Sequence, residues 1–260
     1  MPFADAAHLA DLNAYLGRID DVRGWCVPQL WQMLWPLARA VGPGPVAEIG
    51  IYEGKFLIGL IKTFDPDHAH RHAAIDVFDL QEFNLDNAGV GNEAAFDANL
   101  AAQGLQAARV DKVRTDSLAL TQRDANQLAK KHGRFAAFSV DGCHEVTHTM
   151  ADIEFAMSVI DPRGIIFVDD YINPQWPGVG EAVAKMYLLR NFPFVPLAYG
   201  CNKLILCSIS YHKTYLALMR DYLRAAHPRT PVKEVARFGF RTLTVLPKLG
   251  GEWQAIGNDA

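Results

Sequence analysis

The chain has few cysteines and no Cys-x-x-Cys pair. Cys26, Cys143, Cys201 and Cys207 are its only four among 260 residues, and their spacing suggests no disulfide framework. Reduced thiols in a cytoplasmic enzyme are the simplest reading. No apolar run approaches the roughly 18 residues that a membrane span needs. The first residues, MPFADAAHLADLNAYLGRIDD, lack a basic stretch followed by an apolar core, so no secretory signal is expected. Positive charge is also in short supply. Lys and Arg number 25 against 29 Asp and Glu, a net charge of −4, and no Lys/Arg stripe appears. A dedicated nucleic-acid binder is therefore not expected. Half the residues are apolar, which excludes disorder as the main state.

The apolar pattern predicts the organisation. Ala6, Leu9, Leu12 and Leu16 fall at helical spacing, and Pro28 suits the start of a second helix carrying Leu30, Met33, Leu34 and Leu37. Gly42-Pro43-Gly44-Pro45 breaks that pattern. Strand-like runs then follow at Val46–Ile49, Ala73–Val77, Val110–Val113, Phe135–Val140 and Ile165–Val168, with helical stretches between them. Such alternation predicts a parallel sheet with helices on both faces. Phe194–Ala198 and Leu204–Ile209 are too close for a crossover helix, so they predict a hairpin with one antiparallel strand. A helix near 211–226 and a weakly alternating tail, Phe238–Leu246, end the pattern. We divide the chain into a helical extension (1–44), an α/β core (45–210) and a C-terminal helix with an edge segment (211–260).

Chemistry-bearing residues collect at the strand ends. The first strand runs into Glu48-Ile49-Gly50-Ile51-Tyr52-Glu53-Gly54, where glycines permit a sharp turn and close approach of a ligand. The loop lacks the Gly-x-Gly-x-x-Gly of dinucleotide sites, which argues against a nicotinamide cofactor. A plain strand-to-helix turn is the alternative. Asp76 ends the second strand, where an acid can accept from both ribose hydroxyls of a nucleoside. Asp116 and Ser117 follow the third, in reach of an adenine edge.

This order resembles the class I methyltransferases that use S-adenosylmethionine. The resemblance implies a Rossmann-like fold with a seven-stranded, mostly parallel sheet. It also implies that Glu48, Gly50, Tyr52 and Gly54 lie along the methionine part of the cofactor, with Asp76 on the ribose and Asp116 and Ser117 near the adenine.

The fourth strand ends in Asp141-Gly142-Cys143-His144 and the fifth in Asp169-Asp170-Tyr171. In a parallel sheet these ends emerge together. Like charges about 4 Å apart repel by roughly 4 kcal/mol at an effective dielectric near 20. Three such carboxylates call for a cation, and all-oxygen ligation favours Mg²⁺, with Mn²⁺ or Ca²⁺ as substitutes. The alternative is that Asp169 or Asp170 caps the segment that follows.

These two motifs are similar to those of the metal-dependent sugar O-methyltransferases of macrolide and aminocoumarin pathways, and of the wider group that includes cephalosporin-hydroxylase-like proteins. The similarity spans roughly residues 45–207 and takes in Ile172–Val179 and the Asn202-Lys203-Leu204 turn. It implies Asp141, Asp169 and Asp170 as metal ligands, Asp141 beside the cofactor as well, and methyl transfer to a metal-held hydroxyl. Cys143 stands where several sugar enzymes carry a second Asp read as the general base. His144 is the substitute base, and its alternative is a histidine that orients a ligand carboxylate. Two loops are expected to hold a small hydroxylated acceptor. Phe78–Gly91 carries Asp79, Gln81, Glu82, Asn84 and Asp86, as a polar lid would. Tyr171–Gly178 offers Tyr171, Asn173 and Trp176, the last either a platform for a sugar ring or a hydrophobic plug. A hydroxylase-like metal enzyme and a non-catalytic cofactor-binding scaffold are the other readings of the fold. No membrane partner is expected, and a homo-oligomer is. His68, His70 and His72 are taken as a solvated connection, at the sheet end opposite the site.

Overall fold

The structure is a computed structural model that describes residues 17–189 and 192–245. The helix expected around Ala6–Leu16 lies outside them. Nine strands form one sheet among the described residues: β1 (Val46–Ile49), β2 (His72–Asp76), β3 (Val110–Arg114), β4 (Phe135–Val140), β5 (Ile160–Val168), β6 (Phe194–Gly200), β7 (Lys203–Ser208), β8 (Val232–Arg237) and β9 (Phe240–Val245). Their order is β3-β2-β1-β4-β5-β7-β6-β9-β8. The first five strands in that order run parallel, and β7 runs against both β5 and β6. The expected seven strands are thus present in a Rossmann-like arrangement, and the count is corrected to nine. β9 matches the alternating tail. β8, with its Lys, Glu and Arg, carries too little apolar periodicity to have been read as a strand, and it pairs antiparallel with β9.

Helices cover both faces. α1 (Pro28–Val41), α2 (Lys55–Phe64), α3 (Glu93–Ala102) and α7 (Ile209–Ala226) bury their apolar sides in one core. α4 (Gln122–His132), α5 (Val146–Val159) and α6 (Pro177–Leu189) close the other. α1 belongs to the first core: Leu30, Trp31, Met33, Leu34 and Leu37 are all buried, each contributing about 1.5–3 kcal/mol. No helix is long and apolar enough to cross a membrane among the described residues.

Turn chemistry sets the hairpins. Cys201 and Asn202 both adopt positive φ, 53° and 68°, so β6 and β7 are joined by a two-residue turn tighter than the loop expected. Phe238 and Gly239 do the same between β8 and β9, at 49° and 83°.

The His68–His72 segment departs from the solvated reading. His72 is buried, and its Nδ1 accepts the Val46 N–H at 3.2 Å. Nε2 therefore carries the proton and faces Asp65 Oδ2 at 3.3 Å. Asp65 also accepts from the Ala69 and His70 amides and lies 2.8 Å from His70 Nδ1. The segment ties the end of α2 to the starts of β1 and β2. Burial pushes the His72 imidazole down to about 4, so it folds neutral. Between about pH 6.5 and 4 the unfolded chain therefore binds the extra proton, and stability falls as pH falls across that window. The loss expected is on the order of 3 kcal/mol, read as a falling Tm between pH 7 and 4. His72→Asn, which keeps an acceptor near Val46, should flatten that pH dependence. An unchanged slope would assign it to other groups.

Candidate active site

The carboxyl ends of β1, β2, β4 and β5 converge on one side of the sheet. Gly50 and Gly54 shape the loop between β1 and α2. A Cβ on Gly50 (φ +84°) would lie 1.8 Å from the Asp141 carbonyl oxygen, and one on Gly54 (φ +88°) 2.3 Å from the Phe96 ring. Chain packing alone demands both glycines, and Gly50 lets the ends of β1 and β4 touch. Asp76 holds the same loop. Its Oδ2 accepts the Ile51 and Tyr52 amides at 2.5 and 3.2 Å, and its Oδ1 the Phe78 amide at 2.6 Å. Tyr52 packs against Trp25, ring centroids 5.1 Å apart. Glu48 lies on β1, just before the loop. It is buried, and burial pushes its carboxyl up to about 8 against the opposing pull of Lys203 and of Ser139.

After β3, Asp116 accepts the Leu118 amide at 3.0 Å and lies 3.5 Å from His148 Nε2. Ser117 neighbours Asp152, a fully buried carboxyl that desolvation raises to about 7. Asp152 drew no attention in the sequence because it looks like an ordinary polar residue of α5.

Asp141, His144 and Asp170 each offer one ligand atom, and all three atoms lie within 4.8 Å of one another. Asp169 stands beside Asp141: its Oδ2 pairs with Lys203 Nζ, which also lies 3.5 Å from Asp141 Oδ2. Burial and the Asp169 charge raise the Asp141 carboxyl well above the usual carboxylate range. Asp170 sits at a positive φ of 55°. Its Oδ1 accepts from Asn173 at 2.6 Å and from Asn202 at 2.5 Å. These amides hold the carboxylate in a conformation an L-residue rarely adopts.

His144 lies between two carboxylates, with Nδ1 2.6 Å from Asp86 Oδ2 and Nε2 3.0 Å from Asp170 Oδ2. Burial opposes the imidazolium, but the two acids prevail and raise it to about 10. Its ring stacks on Trp176, centroids 4.3 Å apart. Trp176 is thus a platform for the histidine as well as part of the loop. Tyr171 turns inward, buried against Tyr199, its hydroxyl accepting from Arg237. Asn173 is spent on Asp170. The Cys143 thiol is pushed up to about 11 by burial, which unsuits it as a base.

Asp86, Asn202 and Lys203 complete the site. The Phe78–Gly91 segment contains Asp86, but only the fold shows it crossing to His144, whose backbone N–H it also accepts at 3.0 Å. The segment is thus latched across the site. Burial opposes the Asp86 carboxylate, but its bonds from His144 and Ala88 lower it to about 2. Linkage favours the latch most fully between about pH 4 and 6.5: it fades as pH rises toward 10 and as it falls toward 2. Asp86→Asn removes the charge. We expect amide exchange across residues 80–91 to accelerate about tenfold, as for loss of a charge-assisted bond. Unaltered exchange would mean that Asp86 does not hold the segment.

The family model described as a methyltransferase domain matches residues 47–171. Among solved structures, cofactor-bound Rv0187 from MTB is 20% identical with a TM-score of 0.51, over 79% of this chain and 90% of that one. An O-methyltransferase from Bacillus cereus, in complex with SAH, is 17% identical with a TM-score of 0.51, over 76% and 89%. The O-methyltransferase NovP is 13% identical with a TM-score of 0.50, over 68% and 79%. No curated protein matches. At such identities the structures speak for the fold, and the family match speaks for the segment that builds the site. Residues 47–171 match a methyltransferase domain, and the sheet and helices that hold them share the fold of these solved structures.

Proposed function

We propose that this protein transfers a methyl group from S-adenosylmethionine to a hydroxyl of a small polar acceptor, a sugar or a glycosylated natural product, with the help of Mg²⁺. The observation that carries the reading is the meeting of Asp141, His144 and Asp170 beside the β1–α2 loop, inside the methyltransferase domain. The Bacillus cereus O-methyltransferase in complex with SAH supports the cofactor, and with NovP it supports oxygen as the methyl acceptor. The sugar class rests on the resemblance of the Asp141–His144 and Asp169–Tyr171 motifs to the sugar enzymes.

The donor set fits a hard divalent ion. Mg²⁺ commonly keeps several waters and takes one or two carboxylates, which Asp141 and Asp170 supply. When bound, the cofactor provides the electrophilic methyl group and the ion provides positive charge that acidifies a hydroxyl beside it.

The chain's own residues do the rest. Asp76 orders the cofactor loop and is the acid placed to meet a ribose hydroxyl. With a divalent charge held by Asp141 and Asp170, the His144 ring would be neutral, its Nδ1–H held by Asp86 and its Nε2 open to the acceptor's proton. Asp86 and Asp170 stabilise the imidazolium that results, so the pocket favours the product of proton transfer. Trp176 keeps the ring in plane, and the latched 78–91 segment excludes water. A cytoplasmic homo-oligomer is the form we expect.

Calorimetric titration with S-adenosylhomocysteine, with Mg²⁺ and then with EDTA, tests the reading. Micromolar binding is expected, with a heat that changes when the metal is removed. Asp76→Ala should weaken binding about tenfold, the cost of a disordered loop and a lost hydrogen bond. No binding in either condition would refute the proposal.

A further inference from the structure

Lys203 is the first residue of β7 and follows the Cys201–Asn202 turn. Because β7 runs against β5, with Leu204 opposite Val168, the lysine enters the sheet edge where Asp169 leaves it. Its side chain is 1% exposed. The ammonium contacts Asp169 Oδ2, lies 3.5 Å from Asp141 Oδ2 and sits 4.2 Å over the Phe56 ring. An ammonium has three donors and no acceptor, and once buried it depends on partners of this kind. Each Asp169 oxygen has one such partner, Oδ2 the ammonium and Oδ1 the Asp170 N–H at 2.9 Å. Asp170 differs. Its partners are two neutral amides and the His144 ring rather than an ammonium, and one of its oxygens lies within 4.8 Å of ligand atoms of Asp141 and His144.

We infer that Lys203 is the resident cation of this cluster, filling the inner position between Asp141 and Asp169, so that a divalent ion is held from the outer side by Asp141 and Asp170 and Asp169 is not among its ligands. The inference rests on the proposed divalent site and assigns the parts within it. A protein cation in the inner position offsets the charge of Asp169. It also repels a second cation there, which sets both the place and the strength of metal binding. Lys203 is thus a positioning residue for Asp141 and Asp169.

Manganese binding to the full chain, followed by the electron paramagnetic resonance signal of free Mn²⁺, tests this without turnover. S-adenosylhomocysteine binding is measured calorimetrically on the same samples. Asp170→Asn should weaken Mn²⁺ by about tenfold or more, whereas Asp169→Asn should stay within about threefold of the unaltered protein. Lys203→Met should free Asp169 and tighten Mn²⁺ by about tenfold. If Lys203→Met does not fold, the Asp169→Asn and Asp170→Asn pair decides alone, and the neutral Asp169→Asn/Lys203→Met double variant supplies a folded lysine-free protein, expected to bind no weaker than Asp169→Asn. Asp169→Asn weakening Mn²⁺ as much as Asp170→Asn would overturn the inference. So would a folded Lys203→Met protein without tightening, or Mn²⁺ binding by none of the proteins. Homocysteine-cofactor binding that survives such a result would leave the cofactor reading standing. Its absence, with the manganese ranking intact, would do the reverse.

Discussion

Parallel strands deliver their carboxyl ends to one edge, and here those ends are acidic. Asp141, Asp169 and Asp170 are crowded there, and Asp86 joins them from the 78–91 segment. Like charges this close need compensation, since their repulsion grows as water is excluded. The chain answers with Lys203 on the inner side and His144 on the outer side. The surrounding architecture follows from that need. The hairpin reverses β7 so that a lysine can enter from the neighbouring strand. The Asn202 turn residue and Asn173 fix Asp170, and Trp176 fixes the histidine.

Much of the fold is legible in the sequence because its strands are short apolar runs punctuated by turns and helices. Val46–Ile49 and Phe135–Val140 are strands with the bounds that the pattern suggests. β5 begins earlier than its apolar run because Ile160 pairs with Phe135 before the ladder is interrupted. β8 is hidden for the opposite reason. Its residues are polar, and tertiary pairing with β9 rather than local propensity makes it a strand.

The site is legible where chemistry clusters at strand ends and illegible where it depends on distance in the chain. The acids after β4 and β5 announce themselves. Lys203 stands 62 residues from Asp141 and 34 from Asp169, and Asp86 stands 58 from His144, so no local spacing joins them. Nor does residue type separate a buried histidine from a solvated one. His72 looks like its neighbours in His-Ala-His-Arg-His, and only the Val46 amide above it fixes its tautomer. The same holds for Asp76, which the sequence marks for a ligand and the fold also spends on the loop beside it.

The two outermost strands have a bearing on how copies of this chain meet. An open sheet presents unpaired backbone groups along its edges, and those groups invite pairing with another chain. At one edge β3 carries Asp111, Lys112 and Arg114, and at the other β8 carries Lys233, Glu234 and Arg237. Had the sheet ended at β6, the edge would be Phe-Val-Pro-Leu-Ala-Tyr-Gly, a largely buried apolar strand. The β8–β9 hairpin replaces that adhesive margin with one that must desolvate charge before it can zip to a neighbour. Folding intermediates that lack the hairpin would expose the β6 edge, so β8 and β9 also guard the chain against aggregation.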